Sequence, residues 1–216
     1  MSAFHGKPVR RRVVGVIAMA LVPLMVAVGV AWAAATDNMF PTPVTGGLCV
    51  KGMHRGFPCQ TDNSAVYYYM DSSGDFKLES VDKNMVRNAL SGEYSPTRLA
   101  IHYDSTPVFT GSGETDIVYQ EGSSGLNDTA AGMTWCDATG NDLLDCDQQV
   151  VRIRGNGRYT YARVCHETGH AVGLQHGDNS SPELSKTDGR LGCLVTPSTG
   201  HNDLGANNVE NINATY

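Results

Sequence analysis

From residue 64 onward the apolar positions switch between a period of two and a period of 3.6. Ala65-Val66-Tyr67-Tyr68-Tyr69-Met70 is a β-prone run closed by the polar turn Asp71 to Asp75, and it predicts a first strand. After Ser80, a capping-type residue, Val81, Met85, Ala89 and Leu90 recur at helical spacing, which predicts an amphipathic helix closing near Gly92. Arg98 to Tyr103 and Thr115 to Gln120 predict a second and third strand. Ala131 to Trp135 and Gln148 to Arg154 predict a fourth and fifth, separated by a polar loop from Asp137 to Asp145. The turn Gly155-Asn156-Gly157 leads into a helix from about Tyr159 to about Gly173. A last helix, Asp203 to Tyr216, carries Leu204, Val209 and Ile212 on its apolar face, with an N-cap at Asn202 or Asp203, and is expected to pack on the preceding helix. Strands followed by helices with mixed connections indicate an α+β domain built on a twisted mixed sheet.

The chain before residue 64 reads differently. Residues 1–35 carry a basic head (Lys7, Arg10, Arg11, Arg12) and an apolar run from Val13 to Trp32. They end in Ala31-Trp32-Ala33 and Ala33-Ala34-Ala35, the pattern of a cleaved secretory signal. The run approaches the ~20 residues that span a bilayer, so an uncleaved anchor is the alternative, which Pro23 and the alanine-rich end disfavour. Residues 36–63, with Pro41-Thr42-Pro43 and Gly46-Gly47, form an irregular lead-in or a short pro-segment, and 64–216 form one domain.

Without the signal the chain keeps 12 of its 16 Lys and Arg and all 22 Asp and Glu, a formal charge of −10. That balance disfavours nucleic acid and anionic membranes as partners, and leaves a secreted, extracellular monomer with no stable membrane association. All six cysteines lie beyond the signal, and in an oxidising compartment they indicate three disulfides. Proximity favours Cys49–Cys59, Cys136–Cys146 and Cys165–Cys193 among the possible pairings.

The chemistry concentrates between Tyr161 and Asn179. His166 and His170, four apart, share one helix face, and Glu167 follows the first of them. Gly173 tolerates the left-handed conformation that turns a chain out of a helix, and so directs His176 back toward the pair. Three imidazoles with a fourth position left open are the donor set of a catalytic Zn2+ site: His166, His170 and His176 as ligands and Glu167 as general base. Glu183 or Glu210 would supply the third ligand in a site of the other HExxH type. His102 and His201 read as surface groups. Tyr159 and Tyr216 are candidates for hydrogen bonding to a transition state.

The wording HExxHxxGxxH over 161–176, with the strands and helix ahead of it, resembles the metzincin zinc endopeptidases, and the small size resembles their snapalysin-like and matrixin-like members. The resemblance implies a zincin-like fold with an HExxH active-site helix. It also implies hydrolysis of protein or peptide substrates through a zinc-held water that Glu167 activates. Snapalysin has Asp as its third ligand, which makes Asp178 a reserve donor. Metzincins place a Met in a turn beneath the zinc, but the last of the eight methionines here is Met133, and Val195 stands in the segment Gly192 to Pro197 where that turn would fall. The departure keeps open a second reading, a catalytically inactive, zinc-stabilised peptide-binding module.

Overall fold

A computed structural model describes residues 34–216 apart from 55, 112, 140–142 and 198–202, so residues 1–33 of the expected leader and His201 lie outside the described residues. Six strands form one sheet: β1 (Gln60–Thr61), β2 (Ala65–Met70), β3 (Ala100–Tyr103), β4 (Ile117–Glu121), β5 (Gly132–Thr139) and β6 (Asp145–Ile153). β3, β2, β4 and β6 run parallel in that order. β6 pairs with β4 through Val118↔Val150 and with β5 through Trp135↔Val150, so the antiparallel β5 must lie on the opposite side of β6 and form an edge. β1 adds a short parallel pair at the start of β6. The fold is therefore α+β with a mostly parallel sheet, and the helices are α1 (Ser80–Ala89), α2 (Tyr161–Ala171) and α3 (Ala206–Thr215) with short 3₁₀ turns.

Alternation decides which side each strand residue serves. Val66, Met70, Ile117, Tyr119, Val151 and Ile153 point into a core shared with Val86 and Leu90 beside α1, Val164 of α2, and Leu174 and Leu194 beyond it. Val118, Trp135 and Val150 form a second, smaller layer with Met53, Tyr69 and Met133. Cover on both faces explains why β4 and β6 read as apolar runs rather than alternating ones.

Several boundaries differ from the sequence expectation for physical reasons. α1 does not stop at Gly92; a π-helical turn, Leu90–Tyr94, continues it because Leu90 and Tyr94 are fully buried. Tyr94 OH donates to the Cys165 carbonyl at 2.5 Å, which ties this turn to α2. Ser80 is the first helical residue, and no side chain caps α1. The polar segment 137–145 is strand at its two ends: β5 runs on to Thr139 and β6 begins at Asp145, with register shifts on either side of Ala138. The Cys136–Cys146 bridge joins these two strands, and Cys49–Cys59 and Cys165–Cys193 are the other two disulfides, as the spacing predicts. α3 begins after Gly205, not at Asp203, whose carbonyl accepts from Cys193 N at 2.8 Å. Leu204 and Ile212 are buried as expected, but α3 turns a polar face inward as well, with Asn207, Asn208 and Asn211. Among the described residues no helix is long and apolar enough to cross a membrane.

Two carboxyl pairs are built into this frame. Asp82 in the first turn of α1 lies beside Glu121 at the end of β4; burial, then the hydrogen bond and charge of Glu121, push Asp82 up to about 7. Asp116 is held up to about 7 by burial and by Asp62, against the Tyr67 N–H that donates to its Oδ2 at 2.5 Å. A carboxyl whose folded pKa exceeds its unfolded value contributes stability at acid pH that is lost as pH rises from about 4 to about 7. Between pH 5 and pH 8 the Tm of the wild-type protein should therefore fall by several degrees relative to that of Asp82→Asn/Asp116→Asn, at roughly 2–4 °C per kcal/mol for a chain of this size. The other titrating groups are common to both proteins, so a difference that stays flat or grows would contradict the assignment.

Candidate metal centre

α2 starts at an N-cap, Thr160, whose Oγ1 accepts from Arg163 N, and it is buried continuously from Val164 to Ala171. Its two histidines are fixed through the nitrogen that faces away from the cleft. His166 Nδ1–H donates to the Cys193 carbonyl and His170 Nδ1–H to the Leu174 carbonyl, both at 2.7 Å. Their Nε2 atoms therefore carry lone pairs, and His176 Nε2 meets them at 3.2 Å from His166 and 3.1 Å from His170. Burial is the first cause of a lowered pKa in all three. His166 is held well below its usual range, with the other two imidazoles adding to the effect, His170 lies near 4 and His176 near 3. One Nε2–H on His176 cannot serve both neighbours, so in any neutral tautomer an unrelieved contact between lone pairs remains. A cation between the rings relieves it, and this group could hold a metal ion. The other cluster of potential ligands, Cys49, Cys136 and Cys146, is fully engaged in disulfides.

The chain leaves the helix at Gly173, with φ of 94°, as the sequence expectation required. A side chain there would also collide, since an added Cβ would lie 2.9 Å from Met39 Sδ and 3.2 Å from Gln60 Cα. Met39 belongs to a buried strap, Thr36–Phe40, that zips onto both ends of the loop carrying His176. Phe40 N donates to Gly173 O, Gln175 N to Asn38 O, and Asp37 and Ser181 exchange backbone bonds at 3.0 and 2.8 Å. Asn38, fully buried, donates from Nδ2 to Gln175 O and Asn208 Oδ1 and accepts at Oδ1 from Asn207 and Asn211. The residue before His176 is thus locked to α3 through four asparagine side chains, a network that carries no periodic signal in the sequence.

Glu167 is buried on the cleft side of α2, against β5. Thr134 Oγ1 lies 2.9 Å from both Glu167 Oε2 and the Glu167 carbonyl. A Cβ on Gly132 would come within 2.6 Å of Glu167 Oε1, so glycine there leaves room for the carboxylate. Burial raises Glu167 to about 7, against the pull of the Thr134 hydroxyl and the Arg163 charge. The cleft has a volume of about 550 Å³, and His166, Glu167, His170 and His176 line it together with Gly132 to Thr134, Arg158 and Arg163. Gly132, Thr134 and the two arginines line the cleft, and Asn38 supports the loop of His176; sequence reasoning did not single them out.

The remaining candidates lie elsewhere. Asp178 is paired with Lys186 at 2.8 Å, and neither it nor Glu183 nor Glu210 lines the cleft. His102 is exposed and stacks on Tyr67 at 5.0 Å. Tyr216 OH donates to the Val172 carbonyl and accepts from Thr61 N, and Tyr159 is buried away from the cleft lining. Under α2, Leu194 lies 2.7 Å from a Cβ added to Gly169, and Val195 is buried in the same core cluster. No family model and no curated protein matches this chain.

Asn38→Ala would remove the acceptor of Asn207 Nδ2 and the donor to Asn208 Oδ1, at about 1–3 kcal/mol per unpaired buried group. Its Tm should drop by roughly 5–10 °C, and its affinity for a divalent metal, read by competition with a chromophoric chelator, should weaken roughly tenfold. Unchanged metal affinity at a lower Tm would reduce the strap to a purely stabilising role.

Proposed function

We propose that this chain is a secreted, zinc-dependent endopeptidase of the metzincin type, with His166, His170 and His176 as the zinc ligands and Glu167 as the general base. The observation that carries the reading is the convergence of three Nε2 atoms at 3.1–3.2 Å contacts, beside a buried carboxylate in the same cleft. Tetrahedral zinc with Zn–N of about 2.0–2.1 Å separates its ligand nitrogens by about 3.3 Å, close to the spacing of these rings. All three donors are imidazoles, and two have a backbone carbonyl holding the far nitrogen, the arrangement that fixes ligand tautomer. Three disulfides fit an exported protein, and a mixed sheet leading into the ligand helix fits the metzincin expectation.

Bound zinc would supply Lewis-acid polarisation of a water and of the scissile carbonyl. The protein's own groups do the rest. Glu167, raised to about 7 by burial, accepts a proton from the attacking water and returns it to the leaving amine. Thr134 orients that carboxylate from β5 through its hydroxyl, and Gly132 keeps the space beside it open. The depressed pKa values of the histidines keep their rings neutral, the form that binds metal.

The test is a matched pair of purified proteins. The wild type should carry about one zinc per chain and hydrolyse casein in a chelator-sensitive manner. Glu167→Gln should keep its zinc and lose at least about 10²-fold in kcat/KM, given the usual weight of a general base. A Glu167→Gln protein as active as wild type would overturn the assignment, and zinc without hydrolysis in the wild type would favour a binding module.

A further inference from the structure

The cleft wall beside the start of α2 carries charge of one sign. Among the described residues lining the cleft, Arg158 and Arg163 are the lysine- or arginine-type cations and Glu167 is the single carboxylate, in a chain whose formal charge is −6. Arg158 is exposed ahead of the helix, and Arg163 is half-buried within its first turn. Arg163 precedes Glu167 by four residues, so the two share a helix face. The charges interact: Glu167 favours the charged form of Arg163, while burial and Arg158 oppose it. Two guanidinium groups and one carboxylate give the described lining more positive than negative groups. Among the described lining residues these two arginines supply the fixed positive charge of that wall.

We propose that Arg158 and Arg163 form a carboxylate-binding subsite of the cleft, so that the preferred peptide presents an anionic group close to the bond that is cut. Cleavage beside the anionic group rests on the peptidase reading, but the binding preference stands apart from it. The guanidinium is always charged and matches a carboxylate through a planar fork of donors, which gives direction as well as attraction. The carboxylate has two sources, an Asp or Glu side chain or the free C-terminus of the peptide. Arg158 lies at the solvent end, where salt screens it, and Arg163 lies deeper, so the preference should weaken with ionic strength without vanishing.

Four peptides of one Ala/Leu-based octapeptide sequence, carrying a fluorophore and quencher, separate the cases. They are a neutral C-terminal amide, the same amide with one Glu near the cleaved bond, the same with Lys in that place, and the neutral sequence with a free C-terminal carboxylate. The wild type should prefer at least one carboxylate peptide over the neutral amide by roughly tenfold in kcat/KM, with the Lys peptide poorest. Which carboxylate peptide gains identifies the source. Arg158→Glu should shift the Glu-to-Lys ratio toward Lys, whereas Arg98→Glu, an equal change of net charge at an exposed position outside the cleft lining, should leave it alone. The same peptides are titrated against zinc-loaded Glu167→Gln by fluorescence anisotropy. Hydrolysis without a carboxylate preference, or with a Glu-to-Lys ratio that Arg158→Glu does not move, overturns the subsite and leaves the peptidase standing. Selective binding without hydrolysis by the wild type overturns the peptidase and leaves the subsite. Neither hydrolysis nor selective binding overturns both.

Discussion

Three imidazole lone pairs cannot be held at van der Waals contact in a protein interior without something between them. His166 and His170 are denied any other tautomer because Cys193 and Leu174 carbonyls take their Nδ1 protons, and His176 can relieve at most one of its two close contacts. The surrounding structure works to keep that arrangement. The Cys165–Cys193 bridge ties the segment that holds His166 to the helix residue next to it, and Leu194 presses on Gly169 between the two helical ligands. On the other side, the strap and its asparagines hold the loop of His176. Burial that depresses all three pKa values adds to the same end, because a neutral ring is the only form in which these positions make sense as donors.

The second constraint is the edge strand. β5 is antiparallel to β6 and borders the cleft, so its alternating residues reach the helix that carries Glu167. Thr134 touches the Glu167 carboxylate, and Gly132 gives it room. The sheet thereby sets the orientation of a group whose sequence position is determined by the helix, and the two arginines complete the wall on the helix side. Two imidazoles, the carboxylate and the Arg163 guanidinium thus share α2, and the loop of His176 and strand β5 join them only in the folded chain.

Much of this was legible before the fold. The four-residue spacing of His166 and His170, the glycine at 173 and the pairing of nearby cysteines each follow from local geometry, and local geometry is what a sequence displays. The strap was not legible. Asn38 meets Asn207, Asn208 and Asn211 across roughly 170 residues, and a polar residue in a Pro- and Gly-rich lead-in looks like loop until its partners are known. The β5–β6 hairpin was obscured by the same kind of signal, since the acidic composition of 137–145 reads as solvent-facing whether the backbone is paired or not. Arg163 and Thr134 escaped notice because their chemistry depends on what they face.

The claim on which the rest depends is that three imidazoles hold one zinc. X-ray absorption at the zinc edge of the purified, metal-loaded protein examines it without any substrate. The structure leads to three nitrogen scatterers at about 2.0–2.1 Å with the outer-shell signature of imidazole, plus one further light atom, and to loss of one imidazole in His176→Ala. A sulfur scatterer at about 2.3 Å, or an unchanged spectrum in His176→Ala, would contradict it.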